Sequence, residues 1–305
     1  MPDLAVVGPW AKEKLDALAR YLDFYTKVLK NQHWRTIYLD AFAGGGRAMV
    51  RSTPPAATSS PLFAQGGDDD VPDEEQQELI DGSPRIALAV ANPFSRYIFI
   101  EPDPVRAREL EALKAEYGNT RSIRILPNTA TDGIGWMVSQ AINKSTHRGV
   151  AFLDPFGAKL EWSSVQQLAD TSLFEVVVNF GLNMAIQRML PNSGVIPEAW
   201  RKTLDAYFGT TAWFEEVYCE PGGLFGSTGL EKRADYSERL LELYRQRLKR
   251  AFGHVSAPRL IRSTRGIALY YLLWAGPHPK GLEGANYILT MGERLAKQAT
   301  RQAVR

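Results

Sequence analysis

The chain has 305 residues, with 36 Lys and Arg against 34 Asp and Glu and 45% hydrophobic residues. That suffices for a sizeable core and excludes wholesale disorder, a collagen-like repeat and a disulfide-stapled miniprotein. No apolar run approaches the ~18–20 residues that span a bilayer, and Met1 to Trp10 lacks the pattern of a secretory signal, so a cytoplasmic protein without membrane contact is expected.

The predicted elements begin with a helix over 9–30. Trp10, Leu15, Leu18, Leu22, Tyr25 and Leu29 recur at three- and four-residue steps, which marks one face of an amphipathic helix. Residues 36–40 read as a buried strand that runs into the glycine turn Ala41-Phe-Ala-Gly-Gly-Gly46. Residues 47–81 lack periodicity and are rich in Ser, Pro, Gly and acids, which predicts a long loop. Ser83-Pro84 then suits a helix start, with Pro at the first helical position.

Strand and helix signals alternate from there. Strands are expected at 96–101, 122–126, 149–153 and 174–180, with helices at 104–117, 133–143 and 163–169. Single helices between strands imply right-handed crossovers and a parallel sheet covered on both faces. Residues 181–253 read as helical (183–189, 197–207, 235–252), with breaks at 191–194 and 221–229. Two strand-like runs, 254–262 and 266–274, are spaced as an antiparallel hairpin, and a last helix covers 282–298. The predicted architecture is therefore α/β: a Rossmann-like, doubly wound sheet of five parallel strands closed by an antiparallel hairpin. Its organisation is an N-terminal helix in 1–35, a core from 36–180 and 254–305, and a helical insert at 181–253 that suits a substrate-recognition subdomain. The arrangement resembles the class I S-adenosylmethionine-dependent methyltransferases.

Charge is uneven. Residues 68–81 hold eight acids and no base, leaving 36 bases against 26 acids elsewhere. Arg245, Arg247, Lys249 and Arg250 on a helix, with Arg259, Arg262 and Arg265 on the hairpin, are candidates for a nucleic-acid groove or an ordinary solvated face. The four histidines are scattered and Cys219 is alone, so neither a metal site nor an internal disulfide is expected.

Chemistry is expected at the carboxyl ends of the strands, near the switch point of the sheet. There the turn after Asp40, with Phe42, Gly44 and Gly46, allows close backbone approach to a cofactor. Glu101 ends the second strand, placed to accept from ribose hydroxyls, and Asp103 suits either that site or a helix N-terminus. Asp132 is the first candidate among the polar residues after the third strand to read an adenine amino group. Asp154-Pro-Phe-Gly157 follows an apolar strand, giving a carboxylate and a ring (Asp154, Phe156) around Pro155. A carboxylate beside an aromatic surface suits methyl transfer to an exocyclic amine, the base stacking on the ring. The segment resembles the Asp/Asn-Pro-Pro-Tyr/Phe signature of amino-methyltransferases with one proline fewer, and Asp-Pro is also a common strand-exit turn.

Taken together, Asp40-Ala-Phe-Ala-Gly44, Gly82-Ser-Pro84, Phe99-Ile-Glu101, Leu153-Asp-Pro-Phe-Gly157 and Tyr270-Tyr-Leu-Leu-Trp-Ala-Gly-Pro-His-Pro279 resemble the three-Cys-motif partner family, in order along nearly the whole chain. The long 47–81 segment and the stretch after Pro279 depart from it. The resemblance implies a methyltransferase-like fold, S-adenosylmethionine as cofactor and a three-cysteine-motif protein as partner. The expected activity is methyl transfer to an amino group of a nucleic-acid base. The competing expectation is a catalytically inactive, methyltransferase-like binding module, and a nicotinamide-dependent oxidoreductase is a third, opposed by the absence of G-x-G-x-x-G.

Overall fold

The computed structural model describes residues 5–52, 76–220 and 230–303. Strand β1 (Ala5–Val7) precedes helix α1 (Trp10–Leu29), which leads to β2 (Arg35–Asp40). Next come β3 (Arg47–Ser52), β4 (Gln76–Asp81), α2 (Ser83–Leu88), β5 (Arg96–Ile100), α3 (Pro104–Tyr117) and β6 (Ile123–Leu126). They are followed by α4 (Ala130–Gln140), β7 (His147–Leu153), α5 (Trp162–Thr171) and β8 (Phe174–Phe180). A π turn at Leu182–Ile186 passes into a 3-10 turn at Gln187–Met189, then α6 (Glu198–Phe208) and α7 (Trp213–Val217). The chain continues through β9 (Tyr218–Cys219), β10 (Glu231–Lys232), α8 (Tyr236–Phe252), β11 (His254–Val255), β12 (Arg259–Arg262), β13 (Ala268–Gly276) and α9 (Pro279–Ala303).

The main sheet runs β6-β5-β2-β7-β8-β13, with β11 and β12 both on the outer edge of β13. The first five strands are parallel and β13 is antiparallel to β8. Order reverses at β2, whose neighbours are β5 and β7. That strand order, closed by an antiparallel hairpin, is the class I methyltransferase arrangement, and the parallel strands end as near-continuous apolar runs because both faces are covered.

Alternation along β2 shows the two layers. Ile37 and Leu39 face a core built with α4, α5, α6 and α8, whereas Tyr38 faces one built with α1, α2, α3 and α9. Leu204, Tyr207, Trp213 and Tyr244, from the expected insert, sit in the same cluster as Val165 and Leu168 of α5. The segment therefore completes one face of the sheet.

Two expectations are corrected. The ends of the 47–81 loop are strands: β3 pairs antiparallel with β4 and parallel with β1 in a separate three-stranded sheet. No short turn joins the two strands, so no hairpin signal announced them, and the rest of the segment lies outside the described residues. The hairpin's outer strand is interrupted at Ser256, whose N–H still donates to Trp274 O at 2.9 Å while its hydroxyl accepts from Trp274 N at 3.0 Å. The break expected at 221–229 also lies outside the described residues.

Candidate functional site

A cleft of about 420 Å³ opens at the carboxyl ends of β2, β7 and β8. Phe42, Gly44, Gly46, Asp154, Pro155 and Phe156 all line it. The three-stranded sheet and the start of α1 form the opposite wall through Val7, Trp10, Lys14, Ala48 and Ile80.

The glycine turn is held by backbone bonds to both neighbouring strands: Ala41 N–H donates to Phe152 O at 3.1 Å and Ala43 N–H to Ile100 O at 3.0 Å. Gly44 and Gly46 have φ of 61° and 82°, values that L side chains adopt only with strain. A Cβ on Gly44 would meet nothing within 4 Å. Its constraint is conformational, and its open side lies in the cleft.

Asp40 is fully buried beneath this turn and does not line the cleft. Its carboxylate accepts from Tyr38 Oη at 3.1 Å and Phe42 N at 3.3 Å. Burial pushes its pKa up to about 7, with the hydrogen bonds from Ser83, Tyr38 and Phe42 opposing that rise. Glu101 is also buried; Oε2 accepts from Gly44 N at 2.8 Å and Oε1 from Asp103 N at 3.0 Å. It ties the glycine turn to the end of β5, with further lone pairs still available on each oxygen.

Asp103 and Asp132 serve their helices. Asp103 Oδ1 accepts from Val105 N and Arg106 N at 2.9 and 3.0 Å, satisfying two orphan donors of α3. Those bonds lower its pKa. Asp132 is exposed; its N–H donates to the N-cap hydroxyl of Thr129 at 3.2 Å, and that hydroxyl donates back to Asp132 Oδ2 at 2.8 Å. Neither lines the cleft. Replacing Asp103 by Ala is therefore expected to lower the denaturant midpoint by removing the cap, with cofactor affinity unchanged in calorimetry.

Asp154 has partners that sequence reading did not supply. Lys14 Nζ lies 2.5 Å from Oδ2, and Asn179 Nδ2 donates to Oδ1 at 2.6 Å. Both were foreshadowed: Lys14 interrupts the apolar stripe of α1 one turn before Leu18, and Asn179 is polar within the otherwise apolar end of β8. Since the amide nitrogen must face the carboxylate, Asn179 Oδ1 points elsewhere; it is buried, lines the cleft and has no hydrogen-bond partner among the described residues. A buried acceptor without a donor costs about 1–3 kcal/mol, so this oxygen is a ready partner for a ligand N–H. Phe156 is 60% exposed at the mouth, with the Arg106 guanidinium 6.0 Å from its ring centroid.

Cations surround the opening: Arg47, Arg106 and Arg188 line it with Lys14. The expected basic stretch fares differently. Arg259 is buried and paired with Glu13 at 2.6 Å, Arg245 pairs with Glu242 at 2.7 Å, and Arg247 stacks over Trp162 at 4.4 Å. Three of those seven cations are thus engaged within the fold, two by ion pairs and one by stacking on an aromatic ring. Among the described residues no cluster of His, Cys, Asp and Glu could hold a metal, and no helix is long and apolar enough to cross a membrane.

No family model matches the chain, and no curated protein does. Among solved structures, protein LPL1258 from Legionella pneumophila is similar at 15% identity and a TM-score of 0.39, over 86% of this chain and 97% of that one. The 16S rRNA methylase ArmA is similar at 15% identity and a TM-score of 0.32, over 85% and 84%. At such scores the likenesses carry no argument, and the fold rests on the strand order.

Proposed function

We propose that the cleft is the methyl-transfer site of an S-adenosylmethionine-dependent methyltransferase acting on an exocyclic amino group of a nucleic-acid base. The observation that carries this reading is the buried, unpartnered Asn179 Oδ1 beside Asp154, on a residue that lines the cleft together with the glycine turn. The site fits the cofactor in the open approach to Gly44 and in the acid that closes β5. Gly44 and Gly46 would admit it to the backbone, and Glu101, buried behind the turn and outside the cleft lining, would hold the Gly44 N–H in place for it. Bound there, it supplies an electrophilic sulfonium methyl.

The chain's own residues then do the positioning. Asn179 Oδ1 and the spare lone pairs of Asp154 accept the N–H groups of the amine, turning its nitrogen lone pair toward the methyl. Lys14 fixes the carboxylate in place, so that it can stabilise positive charge developing on the nitrogen. Phe156 gives the base a stacking surface, and Arg47, Arg106 and Arg188 attract the phosphate backbone. Holding both reactants in one orientation supplies most of the rate enhancement.

The first experiment is calorimetry with S-adenosylmethionine and with NAD, followed by transfer of a radiolabelled methyl group to RNA, DNA and protein acceptors. Micromolar binding of S-adenosylmethionine alone and label in nucleic acid are expected. Glu101→Ala should weaken that binding at least tenfold, since it removes the acceptor that holds the Gly44 N–H and with it the shape of the glycine turn. One observation favours a second reading: both Asp154 oxygens already have protein partners. That suits a non-catalytic module, for which binding of a three-cysteine-motif protein without label transfer is the expected result.

A further inference from the structure

Strand β8 carries a second buried polar residue on the same face as Asn179. Glu175 lies four residues earlier, so about 13 Å away along the strand and at the opposite edge of the sheet. It is 8% exposed, and Tyr21 Oη donates to its Oε2. Trp274 Nε1 in turn donates to Tyr21 Oη at 2.6 Å, so Tyr21 has one proton to give and directs it at Glu175. The other oxygen, Oε1, has no hydrogen bond among the described residues and turns toward Gly281: a Cβ built there would meet it at 2.5 Å.

Glu175 and Gly281 both line a separate cavity of about 470 Å³. Its walls are largely apolar and aromatic, from Phe24, Tyr25, Val28, Trp34 and Leu173. The size and character match small-molecule sites, in which a few polar groups orient a ligand held by apolar walls. Cations are near but engaged or exposed. Arg148 stacks on Trp34 at 3.7 Å and donates to His147 O at 2.7 Å, while Lys280 and His278 stand exposed at the mouth. None reaches ion-pair distance of Glu175.

From this geometry we infer that the cavity is a second ligand site, taking a primary organic amine whose ammonium sits on Glu175 Oε1 and whose apolar body lies along α1. A buried carboxylate without a counter-charge is costly, and the ammonium supplies the cation that the described residues do not. The aromatic walls of Tyr25 and Trp34 add attraction for a cation. The surroundings set the pH behaviour. Tyr21 and Tyr25 of α1, Trp274 of β13, Arg148 of β7, and His278 and Lys280 at the start of α9 face this end of the cavity. Burial holds Glu175 at about 7, against the lowering effect of the Tyr21 hydroxyl and the neighbouring Trp274 N–H.

Tryptamine is the probe, with indole-3-propionate as the anionic control, titrated by calorimetry into the full chain. Tryptamine should bind and tighten about tenfold between pH 6 and pH 8, as the ionised fraction of a group titrating near 7 rises about tenfold. Glu175→Gln, which keeps an acceptor for Tyr21, should lose that pH dependence and weaken binding at least tenfold. Val28→Arg, at an exposed position of the wall where folding is not at stake, should weaken tryptamine binding as well. Absence of tryptamine binding, tighter binding of indole-3-propionate, or unchanged affinity in both variants would overturn the assignment.

Discussion

Replacing Asp154 by Ala is expected to reduce methyl transfer by about 10²–10³, the range for losing one positioned group that stabilises transition-state charge. Cofactor affinity should stay within about threefold, because no contact of Asp154 reaches the glycine turn or Glu101. Lys14→Met should be milder, about tenfold, since the carboxylate remains but loses the partner that orients it. In the double variant the two losses should not add, because both remove one interacting unit. The measurement is a single-turnover rate with labelled cofactor, alongside calorimetric affinity. An Asp154→Ala protein that methylates at the wild-type rate would dismiss the assignment of this residue; additive losses would separate Lys14 from Asp154. Asn179→Ala adds a discriminating case: it removes the vacant acceptor and should raise KM for the methyl acceptor.

The second large effect is on stability. Asp40 and Glu175 are both buried, and burial raises each from its ordinary carboxylate value to about 7. Between about pH 4 and pH 7 the folded chain therefore holds protons that the unfolded chain has released, so stability falls as pH rises through this window and levels off above it. The displacements correspond to about 4 kcal/mol for Asp40 and about 3 kcal/mol for Glu175 over the full window. Denaturant midpoints at pH 5, 6, 7 and 8, at constant ionic strength, should fall progressively. Asp40→Asn and Glu175→Gln should each flatten the profile and make the protein more stable than wild type at pH 8. Asp103, capping α3, works in the opposite direction and only in acid: its bonds are lost as pH falls below its ordinary range. A wild-type profile flat from pH 5 to 8 would show that these two carboxyl groups ionise in the fold as they do in the open chain.

Much of the sheet was legible in local pattern. Tyr97 to Ile100 and Val150 to Leu153 are short apolar runs bounded by turn residues, and single helices between them dictate parallel pairing whatever the remaining contacts. The hairpin after α8 followed from spacing, and the clustering of Gly44 and Asp154 followed from the rule that strand ends converge at the switch point. The β1-β3-β4 sheet was not legible. Its strands are brief, one pairing is parallel, and the antiparallel partners are far apart in sequence, so no turn signal marks them.

By itself, the sequence determined the order of strands, the position of the glycine turn and which acids stand at strand ends, because periodicity and turn chemistry act over a few residues. Which acids face the cleft was a tertiary decision. Asp103 and Asp132 are used up by helix N-termini, Asp40 is buried under the turn, and Asp154 alone among the nominated acids opens into the cleft. The partners of Asp154 were likewise decided by packing: Lys14 arrives from 140 residues away because α1 lies across the sheet. The same docking of α1 against β8 and β13 buries most of Glu175 with no cation paired to it among the described residues, which no local pattern in Phe174–Phe180 could express.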